Sequence, residues 1–178
     1  TDGGAVYNFG HNGESNPKII SSEFLSNESK GGVYDNGGAI YNYESSIVVK
    51  NTYFSNNNAE YGGAIYNDGG ESSQLIVNST FTSNISDVDG GAIYSDSFFD
   101  PISLTIAKST FSENEASGYG GAVFTDGSDL TVAETIFFSN AASEDGGAIY
   151  GGNDILTVVG STFYGNSANE NGDGGAIY

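Results

Sequence analysis

Apolar and polar residues alternate along this chain in short bursts. Leu104 and Ile106, Leu130 and Val132, and Leu156 and Val158 are each separated by a single residue, which is the period of a strand with one buried face and not the 3.6-residue period of a helix. A few residues later comes an isolated Phe (Phe111, Phe137, Phe163), and then a third burst of the form Gly-Ala-Ile-Tyr or a close variant. Between the bursts run Gly, Asn, Ser and Asp, the residues that make turns. The pattern predicts short strands, three to a unit, and no long helix.

The units repeat. Gly-Gly-Ala-(Ile/Val)-(Tyr/Phe) begins at Gly3, Gly37, Gly62, Gly90, Gly120, Gly146 and Gly174, at spacings of 34, 25, 28, 30, 26 and 28. Between successive copies lies one Phe-x-x-Asn: Phe24/Asn27, Phe54/Asn57, Phe81/Asn84, Phe111/Asn114, Phe137/Asn140 and Phe163/Asn166. A hydroxyl stands two residues before each Phe, and a small residue two after each Asn. Length variation is confined to the turn-forming stretches. Strict alternation with a period of this size marks a solenoid. The expected fold is all-β: a right-handed parallel β-helix of about six turns of 25–30 residues, forming one repeat region over residues 1–178. At about 4.8 Å per rung, six turns make a rod only about 29 Å tall, so the chain is expected to be a segment of a longer solenoid. A propeller blade needs about 40 residues, and a sandwich has no reason to repeat in phase.

Composition narrows the function classes. With 4 Lys and no Arg against 23 Asp and Glu, the net charge is −19. Nucleic acid and anionic membrane surfaces both require clustered basic residues, so neither is an expected partner, and no window is apolar enough for membrane insertion. No Cys is present and His11 is the single histidine, which leaves no thiolate or multi-histidine metal site. Position 1 is Thr and the chain has no Met, so the polypeptide is expected to be processed or part of something longer.

Gly-Gly-Ala-Ile at residues 37–40, 62–65, 90–93, 146–149 and 174–177, alternating with the six Phe-x-x-Asn motifs, resembles the polymorphic outer membrane protein repeats of Chlamydia. The resemblance spans essentially the whole chain, although the cysteines of the chlamydial proteins are missing here. It implies an extracellular or cell-surface β-helical stalk of the autotransporter-passenger type, often adhesive and often part of a very large chain.

In a like-on-like stack each motif position becomes a ladder. Phe24, Phe54, Phe81, Phe111, Phe137 and Phe163 are the expected core, with the aliphatic residues of the Gly-Gly-Ala motif. Asn27, Asn57, Asn84, Asn114, Asn140 and Asn166 are expected to bond the backbone and one another. The Gly pair supplies either positive φ or close backbone approach. Strand alternation turns Tyr41, Tyr66, Tyr94 and Tyr150 outward as a candidate contact stripe for a protomer or a sugar ring. Acids crowd the loops before Gly-Gly, Asp2 and Glu170 among them. Of these, Asp87, Asp89, Glu144, Asp145 and Asp173 are the candidates for weak Ca²⁺ binding, since carboxylates are hard oxygen ligands; no other cofactor is implied. Three sequons occur, at Asn27, Asn78 and Asn84, and Asn78 is the candidate glycosylation site because it lies outside the Asn ladder.

Some β-helices cleave polysaccharides, but the lyases among them need a cationic base. Here Arg is absent and the four lysines fall at unrelated repeat phases. Hydrolysis needs a carboxylate pair at fixed separation, whereas the acids lie mostly in variable loops. Ice binding would need a regular Thr array, and Thr52, Thr80, Thr110 and Thr162 do not share one phase. The expected function is therefore a non-enzymatic structural or adhesive stalk, with a self-assembling extracellular filament as the alternative. The expected partners are like protomers or further repeats stacked end to end, or a host-cell protein or glycan. Both termini fall at the same phase of the repeat without a cap, which is the basis for expecting end-to-end stacking.

Overall fold

A computed structural model describes residues 3–10, 15–32, 35–69, 72–97, 102–152, 155–169 and 172–178. His11, Asp2 and Glu170 lie outside them. Four parallel sheets, A to D, run along one axis. A representative turn contributes Ile93–Asp96 to sheet A, Ile102–Ala107 to B, Thr110–Ser112 to C and Glu115–Ala116 to D. Each strand pairs in register with its equivalents one repeat away: Ile65↔Ile93↔Val123 in A, Leu104↔Leu130 in B, Phe81↔Phe111↔Phe137 in C and Ser86↔Ala116↔Ala142 in D. Among the described residues, sheets A, B and C hold six strands and sheet D five. The result is a parallel β-solenoid of about five full turns, close to the six expected. The fourth strand of each turn is only two residues long.

The corners explain how so short a unit closes. Between B and C one residue takes a left-handed conformation (Asn51, Asn78, Lys108, Glu134), and so does one between C and D (Asn56, Ser83, Glu113, Ser139). The latter is the residue just before the ladder Asn. The two glycines of each motif have separate tasks. Gly120 has φ +64°, while a Cβ on Gly121 would lie 2.3 Å from the Gly147 carbonyl oxygen and 2.5 Å from the Ala141 backbone. Both of the expected glycine roles therefore operate, one at each position.

The interior is built from columns. Phe54, Phe81, Phe111 and Phe137 are fully buried. With Phe24 and Phe163 they stack at centroid distances of 4.6–4.9 Å, the rings within 8° of parallel. Ile40, Ile65, Ile93, Val123 and Ile149 line sheet A from inside, and Val49, Ile76, Ile106 and Val132 line sheet B. Full burial of each such side chain is worth about 1.5–3 kcal/mol. The buried hydroxyls ahead of Phe form their own column. Ser109 Oγ donates to the Ala107 carbonyl at 2.9 Å and accepts the Ser79 N–H at 3.2 Å.

The four threonines do not share one column, as expected. Thr80, Thr110 and Thr162 lie in one column on the outer face of sheet C, flanked by Tyr53 and interrupted by Ile136. Thr52 differs because it occupies the inward hydroxyl position.

Candidate functional site

The asparagine ladder is internal. Asn57, Asn84, Asn114 and Asn140 are fully buried. Each amide oxygen accepts the side chain and the backbone N–H of the Asn in a neighbouring turn. Asn114 Oδ1 thus takes Asn84 Nδ2 at 2.9 Å and Asn84 N at 3.1 Å, and Asn114 Nδ2 donates to the Phe81 carbonyl at 3.1 Å. Asn27 and Asn166 close the two ends through Asn57 and Asn140. These amides are engaged in joining turns.

The tyrosines stand on the outer face of sheet A, opposite the inward Ile93 and its equivalents. Tyr7, Tyr41, Tyr66, Tyr94, Phe124, Tyr150 and Tyr178 stack at 4.8–5.2 Å with rings within 9° of parallel. The outward direction is as expected, but the column is largely covered. Tyr41 is 8% exposed and Tyr94 9%, while Tyr66 and Tyr150 are half-buried. Tyr61 packs edge-on against Tyr94 at 5.1 Å, and Tyr119 leans on Tyr150 at 4.8 Å. Ring faces are thus consumed within the stack, and the edges remain for contact from outside.

Beside the tyrosines runs a feature that sequence reasoning missed. Asp68, Asp96 and Asp126 pair in register at the ends of three neighbouring strands of sheet A, so not all acids are loop residues. Burial pushes the Asp68 carboxyl above the ordinary carboxylate range, and the Asp96 charge adds to this against a hydrogen bond with Tyr41. Burial raises Asp96 likewise, opposed by the Tyr94 hydroxyl, which donates to it at 3.2 Å, and assisted by Asp126. The Tyr66 and Tyr94 hydroxyls are pushed up in turn, by burial first and by Asp68 and Asp96 next. The signal was present: Asp stands six residues after the first Gly of the motif at Gly62, Gly90 and Gly120.

The calcium candidates are strung along the corner before Gly-Gly. Asp87, Glu144 and Asp173 are exposed, and Asp89 and Asp145 are half-buried. Asp89 Oδ1 accepts the Tyr119 N–H at 2.7 Å, and Asp145 Oδ1 accepts the Asp173 N–H at 2.6 Å. Both therefore brace the loop of the next turn. Among the described residues, no group of three or more acidic or histidine side chains is arranged to hold a metal ion. Further down the same edge a groove of about 370 Å³ is lined by Glu28, Ser29, Lys30, Asp35, Asn58, Glu60 and Asp87. Within it Lys30 pairs with Glu28 at 3.0 Å, and Asp35 accepts the N–H groups of Gly31 and Gly32.

The sequons separate by exposure. Asn84 is buried, and Asn27 is tied into the ladder. Asn78 is exposed at the corner between sheets B and C and donates to Asn51 Oδ1 at 2.7 Å.

Stacked turns, in-register ladders and long outward faces define a repeat protein of the parallel β-solenoid class. The Chlamydia polymorphic membrane protein repeat matches residues 51–68, 78–96, 108–126, 134–152 and 160–178, more than half of the chain. The chain belongs to this repeat family. Each matched segment runs from the left-handed corner ahead of Phe through the Gly-Gly-Ala motif that follows, so the family pattern coincides with the Phe, Asn and Gly-Gly columns. The family consists of surface proteins of the adhesin and autotransporter type, which implies an outer-membrane or cell-surface location. No curated protein and no solved structure matches the chain significantly. Among the described residues, no helix is long and apolar enough to cross a membrane.

Proposed function

We propose that this chain is a non-enzymatic stalk region of an extracellular or cell-surface protein, structural in its core and adhesive on its faces. One observation carries the reading: the residues that recur in every repeat, the stacked tyrosines of sheet A included, are committed to joining turns, and the outward column of sheet C varies. Phe packs the core, Asn bridges turns and the two glycines form the corner. By contrast, the outward column of sheet C runs Glu23, Tyr53, Thr80, Thr110, Ile136, Thr162. A scaffold that repeats its joints while varying an outer face suits a protein whose length sets reach and whose surface sets partners.

Retention of beads coated with the 178-residue chain on cultured cells and on a glycan array tests this reading. Saturable retention that falls when Tyr53, Thr80, Thr110 and Ile136 are all changed to Ser supports adhesion through this face. Retention no greater than that of uncoated beads contradicts the adhesive part.

A further inference from the structure

We propose that Asp68 and Asp96, stacked in register with Asp126, act as a proton-responsive pair that weakens the middle turns of the solenoid at neutral pH and tightens them on mild acidification. The three pair in register, so successive carboxylates stand about one rung, 4.8 Å, apart, well inside the screening length of about 8–10 Å at physiological salt. All three are half-buried. The column is bounded, with Tyr43 as the equivalent residue beyond Asp68 and Gly152 beyond Asp126.

Among the described residues, the groups acting on Asp68 and Asp96 supply hydrogen bonds or further negative charge. Tyr41 bonds Asp68, and Glu44 adds a further negative charge there. Tyr94 and the Ser97 N–H bond Asp96, and Tyr66 is acted on by both aspartates. The adjoining strand Ile102–Ala107 carries no titratable side chain, and Ser128–Ala133 carries only Asp129. No lysine figures among the groups acting on Asp68 or Asp96. Asp96 is the pivotal member because it has a carboxylate on each side. A proton on it removes two repulsions and supplies a donor for a carboxyl–carboxylate hydrogen bond along the axis.

The direction of the pH effect follows from linkage. Burial and mutual charge raise Asp68 and Asp96 in the folded chain, so the folded state holds protons that the unfolded state has already released. The stabilisation is complete below the ordinary aspartate value and is lost as pH rises through the raised folded value. Acidification relieves every acidic surface to some extent, so the test needs a control of equal charge. Asp129→Asn removes one exposed carboxylate from sheet B.

The decisive comparison is the melting temperature of the 178-residue chain, Asp96→Asn and Asp129→Asn between pH 8 and pH 4. The wild type is expected to melt higher as pH falls. Asp96→Asn should exceed wild type at pH 8 by about 2–4 °C, the shift a modest stabilisation gives in a chain of this size, with a flatter pH profile. Asp129→Asn should shift less and keep the wild-type profile. Carboxyl ¹³C NMR of the wild type reads the same property without a variant, with Asp96 titrating above the ordinary aspartate range. Equal profiles for the two variants, or an Asp96 that titrates at the ordinary value, overturn the proposal.

Discussion

Asn114 accepts both the side-chain and the backbone N–H of Asn84, so one amide oxygen fixes the neighbouring Asn in rotamer and position at once. The same amide donates to the Phe81 carbonyl and to Asn140 Oδ1. The Asn column is therefore the polar counterpart of the Phe column: it satisfies buried backbone groups where the left-handed residue Glu113 interrupts the sheet hydrogen bonds between C and D.

Truncation at this point should be costly. Asn114→Ala leaves two buried donors of Asn84 without their acceptor, and each unsatisfied group costs about 1–3 kcal/mol. A loss of roughly 2–4 kcal/mol is expected in urea unfolding. Asn114→Asp keeps the acceptor but removes both side-chain donors and buries a charge, so it should also destabilise.

The glycines predict a contrast. Gly121 faces backbone atoms on two sides that cannot move aside, so Gly121→Ala should prevent the native stack from forming, seen as loss of the cooperative thermal transition. Gly160 has positive φ, but a Cβ there meets only Glu134 Cγ at 3.8 Å. Gly160→Ala should cost only the left-handed penalty of about 1–2 kcal/mol, and Gly160→Asn less, since Asn51 and Asn78 occupy the same corner.

The charge predicts a salt response. Among the described residues, exposed lysines pair as Lys30 with Glu28 at 3.0 Å and Lys108 with Glu134 at 4.0 Å, and exposed pairs contribute about 0–1 kcal/mol. They cannot offset 23 acids. Raising NaCl from 10 to 300 mM should therefore raise the melting temperature by screening. Ca²⁺ at matched ionic strength should add nothing further if the corner acids brace loops, as Asp89 and Asp145 do. An extra calcium-specific increase would instead favour a bound ion near Asp87, Asp89, Glu144, Asp145 and Asp173.

Much of the fold was legible because the determinants repeat. Phe111 and Asn114 recur at fixed separation, and a repeated residue on parallel turns must meet its copies. The two-residue strand Glu115–Ala116 was not legible, since two residues cannot show a period. Nor were the left-handed corners. Their occupants, such as Lys108, Glu113, Glu134 and Ser139, share no chemistry, so tertiary closure imposes the conformation. The tyrosine column was read correctly in direction from strand alternation. Its covering depends on Tyr61 and Tyr119 reaching across from another segment, which no local pattern encodes. The Asp68, Asp96 and Asp126 column had a sequence signal, but it was hidden among loop acids of similar density.

Surface display is the claim on which the functional account rests, and antibody labelling of intact cells that produce this protein tests it most directly. Antibodies raised against the 178-residue chain should bind unpermeabilised cells, and mild external proteolysis should remove the label. Labelling that appears only after permeabilisation would contradict the account.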